Sequence, residues 1–144
     1  MGSRTLHYSE IDRSQWDRFF PNFSPKEFAC PCCGELVFDI ELLQSVSMLQ
    51  AARTYLGLPI KVNSAHRCAI HNARVGGAAK SMHKRIAFDL STRGIDRLKL
   101  LKALKRAGFT TFGLYNTFIH TDIRPGRRWY GSDSARKLWN QLLA

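Results

Sequence analysis

The segment FIHTDIR, residues 118–124, combines aromatic and β-branched residues, which favour a β-strand, with two acid–base groups, His120 and Asp122. Successive side chains of a β-strand point to opposite faces of a sheet. A strand here places His120 and Asp122 on one face together with Phe118, and it places Ile119 and Ile123 on the other. The sequence therefore predicts a sheet with one largely apolar face and one face that carries ionisable groups.

Other segments also have the periodicity of regular elements. Apolar residues three to four apart predict a helix over residues 39–57, which Gly57 and Pro59 end, and further helices over 95–108 and 134–143. Short apolar or alternating runs predict strands at IKVNS, IAFDL and TFGLY, and the last of these pairs with TFIHTDIR as a hairpin through Asn116. This order of elements predicts an α+β domain with a small, mainly antiparallel sheet and flanking helices.

Two segments lack such periodicity. In FFPNFSPKEFACPCCGE, residues 19–35, Ser24 is predicted to cap a short helical turn that begins at Pro25 and has Glu27 at the capping-box position. Residues 65–85 are predicted to form a long polar connection, and they contain His66, His71 and His83. A connection of this length is unusual within a small domain, so a functional role is expected for it.

Length and charge limit the possible functions. A chain of 144 residues has the size of one domain, and we expect a single domain over residues 1–144. The formal charge of +11 favours polyanionic partners, among them nucleic acid, anionic lipid surfaces and bacterial wall polymers. The sequence lacks the apolar run that membrane insertion requires and the apolar core of a secretory signal, so neither feature is expected.

Two histidines and an aspartate have the composition of a catalytic metal site. A catalytic zinc ion takes three protein ligands and leaves a fourth position for water. His83 ends the long connection, Asp89 lies on the strand after it, and His120 lies on a neighbouring strand. These three residues are the predicted ligands of a Zn²⁺ cofactor.

Asp122 shares the face of His120 and is predicted to act as the general base. Its carboxylate could orient or deprotonate the attacking water. Two other roles remain open: it could accept a hydrogen bond from the ring of a ligand histidine, or it could form a salt bridge with Arg124.

Four cysteines allow two interpretations. Cys30, Cys32 and Cys33 lie in FACPCCGE, and Cys68 lies in AHRCAIHN. They could be buried or paired thiols that tie the N-terminal segment to the Cys68 loop. They could also form a zinc knuckle of Cys30, Cys33 and Cys68 with Cys32 or His71 as a fourth ligand.

The motifs VNSAHRCAIHNARVGGAAKSMHKRIAFDL and GLYNTFIHTDIR together resemble the M15 family of zinc peptidases, the group of D-alanyl-D-alanine carboxypeptidases and phage endolysins. The resemblance covers residues 22–128 and leaves 1–21 as an N-terminal extension. It implies a zinc peptidase domain of the hedgehog/DD-peptidase type, with zinc on His83, Asp89 and His120. It also implies that Arg67 binds a substrate carboxylate or the developing oxyanion, with Ser64 beside it.

The chain departs from the family pattern at two places. His83 and Asp89 are six positions apart, whereas the family pattern has seven with a glycine between them. We therefore expect the turn to close differently or Asp89 to approach the metal with altered geometry. Many relatives also have Glu or His just before the last zinc histidine, where this chain has Thr117 and Phe118, and Asp122 is the predicted substitute.

The resemblance implies a peptidase that acts on bacterial peptidoglycan as a monomer, without nucleic acid. Three bonds are compatible with one such site: D-Ala-D-Ala, L-Ala-D-Glu and the cross-link. If the protein is a phage lysin, it is made in the host cytoplasm and acts on the wall after release. The alternatives are an inactive, wall-binding relative and a basic zinc-knuckle protein that binds nucleic acid through RPGRRWYG, residues 124–131.

Overall fold

Two sheets and five α-helices form the fold in the computed structural model, which describes residues 2–144. The helices are α1 (Arg13–Phe19), α2 (Ile40–Leu56), α3 (Ala69–Arg74), α4 (Arg97–Arg106) and α5 (Asp133–Leu143). The strands are β1 (Arg4–His7), β2 (Glu35–Phe38), β3 (Val62–Ser64), β4 (Phe88–Ser91), β5 (Thr111–Leu114), β6 (Phe118–Asp122) and β7 (Arg128–Tyr130). Short 3₁₀ turns lie at Tyr8–Glu10, Pro25–Phe28 and Met82–Lys84.

The larger sheet has the strand order β3-β4-β6-β5-β7. All of its neighbouring pairs are antiparallel except β5 and β7, which run parallel. The predicted hairpin is present, because β5 and β6 pair with Leu114 opposite Ile119. The prediction of an α+β fold with a mainly antiparallel sheet is confirmed.

Helix α2 forms where the apolar periodicity predicts it. The Asp39 carboxylate accepts the backbone N–H of Leu42 at 2.9 Å, which satisfies a donor that the first turn leaves free. Gly57 ends the helix with a φ of 73°, a left-handed conformation that glycine adopts without steric cost. The helix buries Val46 and Leu49 completely, and it packs against α4.

The residues before position 22, which the sequence resemblance does not cover, contribute directly to the core. Strand β1 pairs antiparallel with β2. Helix α1 buries Trp16, whose indole N–H donates to the carbonyl of Phe23 at 2.8 Å and whose ring packs edge-on against Phe20. The sequence did not predict these elements, because β1 is short and its partner is distant in the chain.

The connection between β3 and β4 contains more regular structure than its polar sequence predicts. Residues Ala69–Arg74 form α3, and Met82–Lys84 form a 3₁₀ turn. Three of its six residues are polar, and fewer than two helical turns cannot show a clear apolar face, which explains why the periodicity did not reveal it. At the earlier irregular segment the predicted cap is present, since the backbone N–H of Ser24 donates to the Glu27 carboxylate at 2.6 Å.

No helix within residues 2–144 combines the length and the hydropathy that crossing a membrane would require.

We expect Trp16→Ala to lower the free energy of unfolding by about 3–5 kcal/mol, because the substitution leaves a cavity where a buried indole packs. Chemical denaturation measures the change. Phe19→Ala, on the same helix but with a side chain that is 67% exposed, is the matched control and should change the stability by about 0.5 kcal/mol or less. Equal effects of the two substitutions would contradict the packing described here.

Candidate metal centre

One residue from each strand of the larger sheet lies in a single row across it. Asp89 pairs with Ser64 on one side and with His120 on the other. His120 in turn pairs with Gly113, and Gly113 pairs with Trp129. Directly paired residues of neighbouring strands have their side chains within contact distance. The sheet therefore brings the predicted ligands Asp89 and His120 together.

His83 reaches this row from the 3₁₀ turn that precedes β4. Its Nδ1 lies 2.6 Å from the carbonyl oxygen of Ala65, and since a carbonyl only accepts hydrogen bonds, Nδ1 carries the proton. The other ring nitrogen, Nε2, is buried and has no hydrogen-bond partner among residues 2–144. It lies 3.2 Å from Asp89 Oδ1, close to it but without hydrogen-bond geometry.

His120 has the opposite ring arrangement. Its Nε2 lies 2.7 Å from Asp122 Oδ2, and its Nδ1 faces Asp89 Oδ1 at 3.0 Å. The inner ring nitrogens of His83 and His120 therefore both point at one carboxylate oxygen of Asp89. One atom from each of the three residues lies within 4.8 Å of the other two.

Three electron-pair donors that converge in a buried space require a positive charge between them. Burial lowers the pKa of His120, but the carboxylates of Asp122 and Asp89 outweigh this effect and raise it. Burial likewise opposes ionisation of Asp89, yet the neighbouring imidazoles of His120 and His83 lower its pKa to about 2. Two imidazoles and a carboxylate are a donor set that Zn²⁺ accepts. The residues fit a zinc ion. A metal bound between them would also give the buried Nε2 of His83 the partner that it lacks among residues 2–144.

The spacing of six positions between His83 and Asp89 leaves the predicted ligands together. Met82–Lys84 form a single 3₁₀ turn, and Arg85 follows with φ −104° and ψ −97° before the chain enters β4. Asp89 still contacts both histidines. The expectation that the turn closes differently from that of the family, or that Asp89 approaches a metal with altered geometry, stays a prediction.

Asp122 lies behind His120, where its carboxylate is saturated with hydrogen bonds. Besides the His120 ring, it accepts the backbone N–H, Nε and Nη2 of Arg124 at 3.0, 2.9 and 2.7 Å. Its side chain is fully buried and does not line the cleft over the metal-binding cluster. Burial raises the pKa of Asp122, but Arg124 and His120 hold it below its ordinary value, which makes the carboxylate a weak base. These contacts favour orientation of His120 over the predicted role as general base.

Arg67 is held in place beside the cluster by several neighbours. Its Nε donates to Ser64 Oγ at 3.3 Å, its Nη1 donates to Asn72 Oδ1 at 3.1 Å, and its Nη2 lies 3.6 Å from Asp89 Oδ2. Ser64 does not line the cleft, so its contact with Arg67 indicates a positioning role. Sequence reasoning missed Asn72, although its amide is buried and also donates to the Ala78 carbonyl at 2.9 Å.

A cleft of about 480 Å³ opens over the cluster. Trp129 forms part of its wall, with its ring 5.1 Å from that of His120 and its N–H donating to the Tyr115 hydroxyl at 3.0 Å. Gly113 makes this packing possible, because any Cβ there would overlap the indole. The RPGRRWYG segment, which the sequence suggested only as a basic and aromatic patch, thus contains strand β7 and contributes to the cleft.

The four cysteines form a second cluster apart from the histidines. Their sulfur atoms all lie within 4.8 Å of one another, and none of the four is in a disulfide. The backbone N–H of His71 and the thiol of Cys32 lower the pKa of Cys68 to about 7. Hydrogen bonds with Cys68 and Cys30 raise the pKa of Cys32 to about 12.

The fold and the site define the class: an α+β domain with a candidate metal centre of the hydrolytic type, in which two histidines and an aspartate lie beside a fixed arginine. The sequence model of the family described as Peptidase M15 matches residues 21–122. The chain belongs to that family, and the resemblance noted in the sequence is confirmed. Membership supports a peptidase activity, and M15 peptidases depend on zinc. None of the curated proteins compared with the chain matches it.

We expect Asp122→Asn to weaken zinc binding by about 10- to 100-fold, because an amide no longer fixes the His120 ring as a carboxylate does. Competition with a chromophoric chelator measures the affinity. Asp17→Asn is the matched control, since that carboxylate is exposed on α1 and should leave the affinity unchanged. A variant that keeps its zinc affinity and loses its turnover would instead support the general-base role.

Proposed function

We propose that the protein is a zinc-dependent peptidase that cleaves peptide bonds in bacterial peptidoglycan, in the stem peptides or in their cross-links. It would act as a D-Ala-D-Ala carboxypeptidase or as an endopeptidase of the endolysin type. The convergence of the inner nitrogens of His83 and His120 on the carboxylate of Asp89, at the base of an open cleft, is the observation that carries this proposal.

The charge of the cleft supports an anionic substrate. Its lining includes four cationic side chains, those of Arg67, Lys80, Arg124 and Arg127. Among the described residues that line it, Asp89 is the only acidic one. Peptides that end in D-alanine carry a carboxylate, and a positive cleft attracts and orients such a group. The chain's net charge of +11 also suits an anionic wall polymer as the partner.

In the proposed mechanism, His83, Asp89 and His120 would hold Zn²⁺, and the bound ion would supply Lewis-acid chemistry for hydrolysis of the peptide bond. Ala65 and Asp122 hold the two imidazoles in the tautomers that direct their lone pairs inward.

In the proposed mechanism the Arg67 guanidinium binds negative charge on the substrate, which its position beside Asp89 supports. Its contacts with Ser64 and Asn72 use Nε and part of Nη1, so N–H groups on Nη1 and Nη2 remain to bind a carboxylate or the oxyanion. A donor that is already oriented needs no reorganisation when the charge develops.

The proposal extends to the fold type and to the setting in which the protein works. The sheet with its row of site residues is compatible with the hedgehog/DD-peptidase type of zinc peptidase domain. In this setting the protein works as a monomer on peptidoglycan, needs no nucleic acid, and reaches the wall after release from the host cytoplasm if it is a phage lysin.

Two observations make the alternatives less attractive. Asp89 contacts both histidines despite the shortened turn, which favours an active enzyme over an inactive, wall-binding relative. Trp129 and Arg127, which the nucleic-acid hypothesis would use for stacking and phosphate contacts, line the same cleft as the histidines.

Digestion of purified peptidoglycan tests the proposed function. The wild-type protein should release soluble fragments, and mass spectrometry of their new termini identifies the bond. A chelator should abolish the release, and added zinc should restore it. Fragments that appear equally with chelator and with His120→Ala would refute a metal-dependent reaction at this site. Intact peptidoglycan with zinc-loaded wild-type protein would refute the substrate.

We expect Arg67→Lys to lower kcat/KM on the identified substrate by a factor on the order of 100, because lysine keeps the charge but loses the planar fork that binds a carboxylate through two N–H groups. Steady-state kinetics measures the loss, and an unchanged circular dichroism spectrum shows that the fold is intact. Arg93→Lys, at an exposed position, is the matched control and should behave as wild type. Normal turnover of Arg67→Lys would remove Arg67 from the mechanism.

A further inference from the structure

The cysteine cluster joins two segments that are far apart in sequence. Cys30, Cys32 and Cys33 lie on the turn before β2, and Cys68 immediately precedes α3. The Sγ atom of Cys32 lies 3.4 Å from that of Cys30 and 3.3 Å from that of Cys68. The cluster therefore brings together two segments of the chain, since Cys32 and Cys68 are 36 positions apart in sequence.

The turn that carries three of the cysteines has a backbone shape that gathers its thiols. Its sequence is C-P-C-C-G, in which Cys30 and Cys33 have the C-x-x-C spacing found in zinc sites. The N–H of Gly34 donates to the carbonyl of Cys30 at 2.7 Å, and the N–H of Cys30 donates to the carbonyl of Glu35 at 2.7 Å. Gly34 has a φ of 74°, which closes the turn in the left-handed region.

A backbone donor points at one of the sulfurs. The N–H of His71 donates to Cys68 Sγ at 3.4 Å. Hydrogen bonds of this kind orient and stabilise ligands of a bound metal. His71 contributes its backbone only, since its ring is not part of the cluster.

The spacing of the sulfurs suits a metal better than a disulfide. A disulfide joins two sulfurs at about 2.05 Å and leaves the other two thiols without a role. Four thiolates around zinc, with Zn–S bonds of about 2.3 Å, lie roughly 3.8 Å apart at tetrahedral corners. All four sulfurs lie within 4.8 Å of one another, and Cys32 Sγ lies 3.4 Å from Cys30 Sγ and 3.3 Å from Cys68 Sγ. Soft thiolate ligands in a set of four select zinc among the common divalent metals.

We propose that Cys30, Cys32, Cys33 and Cys68 bind a structural zinc ion that fastens the N-terminal segment to the start of α3. This centre shares no residue with the histidine cluster, so it stands independently of the proposed peptidase function.

Through Cys68, the proposed zinc centre also restrains the backbone next to Arg67 in the cleft. Cys68 directly follows Arg67, and its sulfur caps the helix that carries Asn72, the hydrogen-bond partner of the Arg67 guanidinium. The cysteine centre therefore anchors the backbone on the C-terminal side of Arg67. The backbone of Arg67 itself is held by the carbonyl of His83, which accepts the Arg67 N–H at 2.6 Å.

Metal analysis of the full-length protein purified under reducing conditions tests the proposal. Wild type should hold two equivalents of zinc, His120→Ala should hold one, and Cys32→Ala should also hold one. The Cys32 side chain is exposed, so this substitution removes a ligand with little effect on packing. His71→Ala, the matched control, should keep both equivalents.

Cobalt replacement separates this centre from the histidine site. Co²⁺-loaded wild type and His120→Ala should show sulfur-to-cobalt charge-transfer absorption in the near ultraviolet, and Cys32→Ala should lose most of it. This signal is independent of peptidase activity, so an inactive protein with the absorption would refute the proposed function alone. A disulfide in the freshly purified protein, iron in place of zinc, or unchanged metal content in Cys32→Ala would overturn the cysteine centre.

Hydrogen–deuterium exchange tests the link to Arg67. Amide hydrogens in residues 66–74 should exchange faster in Cys32→Ala than in wild type, while those in α2 serve as an internal reference and should not change. Unchanged exchange in residues 66–74 after loss of the zinc would overturn the anchoring role.

Discussion

The antiparallel pairing of β4 with β6 is the constraint on which the rest of the site depends. Its register sets Asp89 opposite His120, and the neighbouring strands extend the same row to Ser64, Gly113 and Trp129. A slip of β4 by one residue would turn the side chain of Asp89 to the other face of the sheet, away from His120. Leu90 and Ile119, which pair within the same ladder and are fully buried, make such a slip costly because the core would lose them.

The second requirement is control of the two imidazole rings. A histidine binds a metal through one ring nitrogen, and the hydrogen bond at the other nitrogen decides which one is available. The carbonyl of Ala65 performs this task for His83, and the carboxylate of Asp122 performs it for His120. Arg124 balances the charge of Asp122, so the buried carboxylate is paired and fully hydrogen-bonded.

Sequence patterns revealed the parts of this structure that depend on local spacing. Alternation placed His120 and Asp122 on one face, and three-to-four periodicity located α2 and α4. Periodicity does not reveal side-chain rotamers, so it could not show that the Asp122 carboxylate turns toward Arg124 and lies behind the imidazole. Contacts between distant segments were also hidden. The parallel pairing of β7 with β5 and the packing of α1 depend on partners that no local pattern identifies.

Gly113 and Trp129 approach each other so closely that substitutions at these two positions have coupled effects on the stability of the fold. The indole lies where a side chain at position 113 would otherwise be, so the space over β5 is filled from a different strand. Substitutions at two residues that share one volume do not have additive effects on stability. A larger side chain at position 113 would become tolerable only together with a smaller one at position 129. Homologous sequences should therefore vary at these two positions together, and a relative without the tryptophan has no need of the glycine.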